Sequence, residues 1–228
     1  MIRNIPMPMH TVESRRQSFQ GYLALPPSGS GPGVLLLHAW WGLNPFIQEL
    51  SDRLAQAGFV TFAPDYYDGA VATTIEDATR HRQALDRKAT NRLVADAVDF
   101  LVDLPALTSS QIGVVGFSLG CGFAIEAARS RNQTVNAVVL YYGTGGGKFD
   151  KVQADFLGHF AAQDEWGAHG ARAKALAERI QTAGRNALFH IYPETEHWFA
   201  EADRPEFDPE AAELAWDRTV QFLGQQLA

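Results

Sequence analysis

Short apolar runs with no polar alternation recur along this chain, and a stretch of helical spacing follows most of them. Residues 33–37 (GVLLL), 59–63 (FVTFA), 112–117 (IGVVGF) and 137–141 (AVVLY) have the length of strands and leave no face for water. A strand that is apolar on both faces belongs in a parallel sheet covered on both sides. Between these runs, residues 44–57 repeat Ile47, Leu50, Leu54 and Ala57 at three or four positions and stop at Gly58. Residues 91–102 place Leu93, Val94, Ala97, Val98 and Leu101 on one helical face. Residues 19–25 alternate like a half-exposed strand and end at Pro26 and Pro27, and residues 155–161 and 187–192 read as two more strands. A helix after Phe117 runs to about Ser130, the charged stretch 73–88 is a helix-like surface excursion, and helices near 168–183 and 209–227 complete the series. The alternation predicts an α/β fold, a mostly parallel central sheet with helices on both faces and no large cap domain. With no long linker and no internal repeat, one domain is expected over residues 1–228.

Composition removes several classes of function. The 19 basic and 26 acidic residues give a net charge of −7, which argues against a nucleic-acid surface. The one cysteine, Cys121, makes neither an internal disulfide nor a multi-cysteine zinc site, and no metal is expected. No apolar run approaches the roughly 20 residues of a membrane span. Residues 1–10 lack a basic start followed by an apolar stretch, so no secretory leader is expected and the cytoplasm is the expected setting.

In a sheet of this type chemistry collects beyond the carboxyl ends of the strands. There the strand 112–117 runs directly into Gly116-Phe117-Ser118-Leu119-Gly120, a G-x-S-x-G turn followed by a small-residue helix. Such an elbow holds its serine on a strained turn with the oxygen projecting into a cleft. Ser118 is therefore the candidate nucleophile. Cys121, three residues on, lies inside the first helical turn and reads as a small buried apolar residue. An unassisted serine needs a base. Of seven histidines, His197 alone follows the last strand in a loop, within Glu194-Thr195-Glu196-His197-Trp198-Phe199. The acid that orients the imidazole belongs after the strand 155–161, where Asp164 comes first and Glu165 is the alternative. The glycine cluster 143–147 before Lys148 lacks the residues of a phosphate loop, and the acidic stretch 201–210 reads as a solvated loop.

With those residues in place, the chain resembles the dienelactone hydrolase family of α/β-hydrolases. The resemblance runs from about Phe19 to the C-terminus and is carried by His38-Ala39-Trp40-Trp41-Gly42-Leu43-Asn44, Ala63-Pro64-Asp65-Tyr66-Tyr67, the Ser118 elbow and His197-Trp198-Phe199. It implies hydrolysis of esters or lactones without metal or organic cofactor, and an oxyanion hole made by the N–H groups of Leu119 and Trp40. Three departures stand out. The best-known members carry cysteine where this chain has Ser118, a glutamate where it has Ala39, and an arginine four residues after the histidine where it has Glu201. An acid at 201 on the rim of the site would repel an anionic substrate. Arg80, Arg82, Arg87 and Arg204 are the cations that could compensate.

The expected function is a serine carboxylesterase acting on small esters or lactones through an acyl-enzyme, with a catalytic triad of Ser118, His197 and Asp164. Its partner is a small-molecule substrate, with no nucleic acid and no membrane, and the protein is a monomer or small homo-oligomer. Aromatic residues that follow strand ends suggest a pocket drawn from Ala39, Trp41, Tyr66, Tyr141, Trp198, Phe199 and Glu201. The alternatives are a catalytically inactive binding protein of the same fold, or a hydrolase of thioesters or amides.

Overall fold

Alternate residues of each central strand belong to different cores. In the computed structural model, which describes residues 9–14 and 17–228, Leu35 and Leu37 join one apolar cluster while Val34 and Leu36 join the other. Val114 and Val115 divide in the same way, as do Val138 and Val139. Residues 1–8, most of the stretch read for a leader, and residues 15 and 16 lie outside the described residues.

Among the described residues, eight strands form one sheet: β1 (Met9–Glu13), β2 (Ser18–Ala24), β3 (Gly31–Leu37), β4 (Val60–Pro64), β5 (Leu107–Phe117), β6 (Val135–Tyr141), β7 (Asp155–Ala161) and β8 (Ala187–Tyr192). Their spatial order is β1-β2-β4-β3-β5-β6-β7-β8. β1 and β2 pair antiparallel, β2 meets β4 antiparallel, and every pairing from β4 to β8 is parallel. Helices α3 (Arg87–Val102), α4 (Leu119–Ser130) and α5 (Gly170–Thr182) cover one face through Val98, Leu101, Phe123, Leu176 and Ile180. The other face is covered by α1 (Pro45–Gln56) and α6 (Pro209–Gln226) through Ile47, Leu54, Ala215 and Leu223. Fully burying one such side chain stabilises the fold by roughly 1.5–3 kcal/mol, so both faces of the sheet contribute. Among the described residues no helix is long and apolar enough to cross a membrane.

Beyond shifts of one or two residues at element ends, three features differ from the sequence reading, each for a local reason. The charged stretch 73–88 is not one helix: α2 (Ile75–Ala84) ends, and α3 begins at Arg87 after an N-cap, Asp86, whose carboxylate accepts the N–H groups of Lys88 and Ala89. That N-cap satisfies two orphan donors and starts α3 four residues before the expected Asn91. β5 begins at Leu107, because its first five residues alternate toward solvent before the strand enters the double-sided core. β1 was missed, since five residues with one buried side chain, Val12, carry almost no pattern.

Candidate active site

β5 must turn into α4 within one residue, and that residue is Ser118. Its backbone lies at φ 47° and ψ −105°, an unfavourable conformation for a residue with a Cβ. Packing holds the strain. The Ser118 N–H donates to the Tyr141 carbonyl at 2.9 Å, and a Cβ on Gly120 would fall 2.4 Å from the Leu37 carbonyl oxygen. Only glycine at 120 lets α4 come so close to the end of β3.

The strained turn aims the Ser118 hydroxyl at a histidine brought from the other side of the sheet. Ser118 Oγ lies 2.9 Å from His197 Nε2, and His197 Nδ1 lies 2.7 Å from Asp164 Oδ2. Asp164 follows β7 and is buried, whereas its neighbour Glu165 is exposed. The remaining oxygen of Asp164 accepts the Trp166 N–H at 2.8 Å, so both carboxylate oxygens are committed. α5 begins only at Gly170 after His169, which removes helix capping as the role of Asp164. Among the described residues no acceptor takes the main-chain N–H of Leu119 or Trp40, and both residues line the cavity over Ser118.

The rival groups are shut away. Cys121 is fully buried, its thiol donates toward the Gly116 and Tyr141 carbonyls, and burial pushes the thiol well above its ordinary range. A thiol held protonated is not a nucleophile. His38 is fully buried against the Tyr66 ring, 3.6 Å between centroids, and burial holds its pKa down to about 3. It stays neutral, its Nδ1 2.6 Å from the Ala39 carbonyl oxygen, and supports the loop that carries Trp40.

A cavity of about 220 Å³ opens over Ser118 and His197. Trp40, Trp166 and Trp198 supply an aromatic part of its lining, with ring centroids 5.1–6.0 Å apart. Arg82 of α2, Arg87 of α3 and Arg172 of α5 also line it, and none of the three forms an ion pair among the described residues.

Of the side chains expected in the pocket, Trp198 lines the cavity and six do not. Ala39 and Trp41 pack in the core behind the Trp40 loop, and Tyr66 stacks on His38. Tyr141 turns into the opposite core, where its hydroxyl meets Thr219, and Phe199 is fully buried. Glu201 was expected on the rim in a solvated loop. It is 1% exposed and its Oε1 accepts the Tyr142 hydroxyl at 2.9 Å, because the chain after His197 turns inward through a Glu201 N–H to Trp198 carbonyl bond of 2.8 Å. Burial raises the Glu201 carboxyl to about 8. Of the candidate cations, Arg80 pairs with Asp77, and Arg204 lies 4.2 Å over the Trp41 ring.

Tyr142, Trp166 and Arg172 are cavity residues that the sequence reading did not select. Tyr142 had a usable signal. Phe117 pairs with Tyr141 across β5 and β6, so the next residues, Ser118 and Tyr142, emerge side by side at the strand ends. Trp166 and Arg172 had none, since their approach depends on the path of the loop between β7 and α5.

Known proteins agree with this architecture. The model of the "Dienelactone hydrolase family" matches residues 19–227. Protein usf of Aquifex pyrophilus is 32% identical over 222 residues, covering 91% of this chain and 94% of its own length. A carboxymethylenebutenolidase of a Pseudomonas species is 30% identical, covering 90% of this chain and 89% of its own. The crystal structure of a dienelactone hydrolase-like promiscuous phosphotriesterase from metagenomic libraries superposes with a TM-score of 0.84 at 20% identity, over 97% of this chain and 98% of that one. With the family model spanning nearly the whole sequence and the sheet order to match, the chain belongs to the dienelactone hydrolase family of α/β-hydrolases, enzymes that act on ester or lactone bonds.

Proposed function

We propose that this chain is a serine hydrolase of small carboxylic esters or lactones that works through an acyl-enzyme. The observation that carries the reading is the continuous relay from Asp164 Oδ2 to His197 Nδ1, 2.7 Å, and from His197 Nε2 to Ser118 Oγ, 2.9 Å. In this mechanism Ser118 Oγ attacks the carbonyl carbon while His197 Nε2 takes the hydroxyl proton. The buried Asp164 carboxylate orients the ring and stabilises the imidazolium. The tetrahedral oxyanion sits against the N–H groups of Leu119 and Trp40. Collapse breaks the carbon–oxygen bond to the alcohol, which leaves with the proton from His197. Water then attacks the acyl-enzyme, with His197 again as base, and the carboxylic acid is released.

The cavity lining supports an anionic substrate. It contains three arginines without ion-pair partners and no carboxylate, while Glu201 faces away from it. An ester or lactone carrying a carboxylate would meet guanidinium groups suited to bidentate binding.

The primary test is labelling by a fluorophosphonate. The wild type should be modified at Ser118, and Ser118→Ala should lose both labelling and turnover of p-nitrophenyl acetate; a Ser118→Ala protein with wild-type turnover overturns the mechanism. For the substrate class, Arg82→Ala and Arg172→Ala should each raise KM for a carboxylate-bearing ester by about 10-fold, a loss typical of one charge-assisted contact. KM for a neutral ester of the same size should not move, and equal effects on both esters would remove the anion-binding role.

A further inference from the structure

The wall behind His197 contains a polar pair that the proton relay leaves unused. Tyr142 borders the cavity yet is fully buried, and it has a left-handed backbone at φ 38°. Such a conformation persists in a residue with a Cβ only where its surroundings over-determine it. Four contacts do so here. The Tyr142 N–H donates to the His159 carbonyl at 2.7 Å. The next residue, Gly143, presses on the nucleophile turn so closely that a Cβ there would stand 2.4 Å from the Ser118 carbonyl oxygen. The Tyr142 ring lies 4.9 Å from the His197 imidazole, centroid to centroid, at 56°. The hydroxyl at its far end donates to Glu201 Oε1 at 2.9 Å.

One tyrosine thus touches the His197 ring and a buried acid, and the glycine after it packs on the Ser118 turn. We infer that Glu201, acting through Tyr142, is a positioning residue for His197. The inference rests on the proposed roles of Ser118 and His197. Its physical content is restraint. The imidazole must keep Nε2 on Ser118 Oγ while Nδ1 stays on Asp164, and a ring packed against it limits the tilt that would break either bond. A phenol ring can itself rock unless its far end is held, and the Glu201 carboxyl holds it. A carboxyl group placed out of water is costly compared with an apolar residue of the same size. Its burial against the tyrosine that packs on His197 fits a positioning role better than a packing role.

Ionisation of Glu201 should then be visible in the chemistry. The groups that face it are the Tyr142 hydroxyl from the end of β6 and, from its own loop, Asp203, Arg204 and Glu206. Asp203 is held in turn by the Asn44 side chain at the start of α1, 3.0 Å away, and by Arg204. The His197 ring lies on the other side of Tyr142. Around pH 8 the acid becomes a carboxylate. The new charge tightens the bond from the phenol and favours the imidazolium that forms in the transition state.

The test compares wild type, Tyr142→Phe and Glu201→Gln, with circular dichroism to check folding. The readouts are kcat and KM for p-nitrophenyl acetate and the rate of fluorophosphonate labelling, each from pH 6 to 9. Tyr142→Phe keeps the ring and loses the bond. It should lower kcat and the labelling rate about 10-fold with KM within about 2-fold, the pattern of an interaction made in the transition state. Glu201→Gln keeps an acceptor for the phenol and should retain more of kcat at pH 6 than the phenylalanine variant does. Above pH 7 it should lack the rise that the wild type shows near pH 8. A phenylalanine variant with wild-type kcat, or a glutamine variant with the wild-type pH profile, overturns the inference. If the wild type itself is not labelled, the serine mechanism fails instead, and the two failures are distinct.

Discussion

Replacing Glu201 by glutamine should change how stability responds to pH, and the size of the change follows from burial. The Glu201 carboxyl is 1% exposed and titrates at about 8, against 4.5 for an ordinary glutamate. Its folded-state pKa is raised, so the folded protein holds this proton over a pH range in which the unfolded chain has released it. The stabilising difference is complete below about pH 4.5 and is lost progressively as pH rises to about 8. Across that window the wild type should lose roughly 1.4 kcal/mol per pH unit relative to a variant that cannot ionise, about 5 kcal/mol in all. Glu201→Gln supplies that reference, because the amide is neutral throughout and its oxygen can still accept from Tyr142. Urea unfolding of both proteins at pH 5, 6, 7, 8 and 9 gives the double difference, in which every other titrating group cancels. The wild type should fall steadily behind the glutamine variant from pH 5 to about 8 and hold a constant deficit beyond. A double difference that is flat over the whole range, or that favours the wild type as pH rises, would refute the reasoning. It would mean that the carboxyl is charged and well solvated in the folded protein.

Two other substitutions test the site from different sides. Asp164→Asn keeps the shape but can leave the imidazole in the wrong tautomer, so kcat for an activated ester should fall by about 10⁴-fold with the fold unchanged by circular dichroism. Cys121→Ala should leave turnover within about 2-fold, since the thiol is buried and held protonated. The native wild-type protein should accordingly resist a thiol reagent until urea exposes Cys121, and modification with loss of activity under native conditions would contradict this placement.

The fold was legible because its strands are buried on both faces, which leaves a mark that no surface helix or hairpin strand imitates. The runs at residues 33–37, 112–117 and 137–141 became the central strands β3, β5 and β6, with Leu35 and Leu36 dividing between the two cores as a continuous apolar run requires. Where burial is one-sided or slight, the signal fades. β1 buries only Val12, and the first half of β5 carries Thr, Ser and Gln on a half-exposed edge. The break between α2 and α3 depends on a single capping carboxylate, Asp86, within a stretch whose composition favours helix throughout.

Ser118, His197 and Asp164, which the structure brings within hydrogen-bond distance of one another, were legible for a different reason: each candidate had to sit just past a particular strand, and chain order then left few choices. The pocket walls obey no such rule. A residue one position beyond a strand end faces the cavity or the core according to which way the backbone turns. Thus Tyr142 lines the site and Tyr141 turns away into the opposite core. The same ambiguity governs charge. A chain with net charge −7 and an acid four residues after His197 reads as hostile to anions. Yet Glu201 is turned inward onto Tyr142, and the charged side chains that line the cavity are Arg82, Arg87 and Arg172. Two of these come from the segment where α2 gives way to α3, and the third from α5. The potential that a substrate meets is set by the few groups within about one Debye length, 8 Å at physiological salt, and not by the sum over the chain. A protein that is acidic overall can therefore present a cationic site, and the arginine substitutions measure whether this one does.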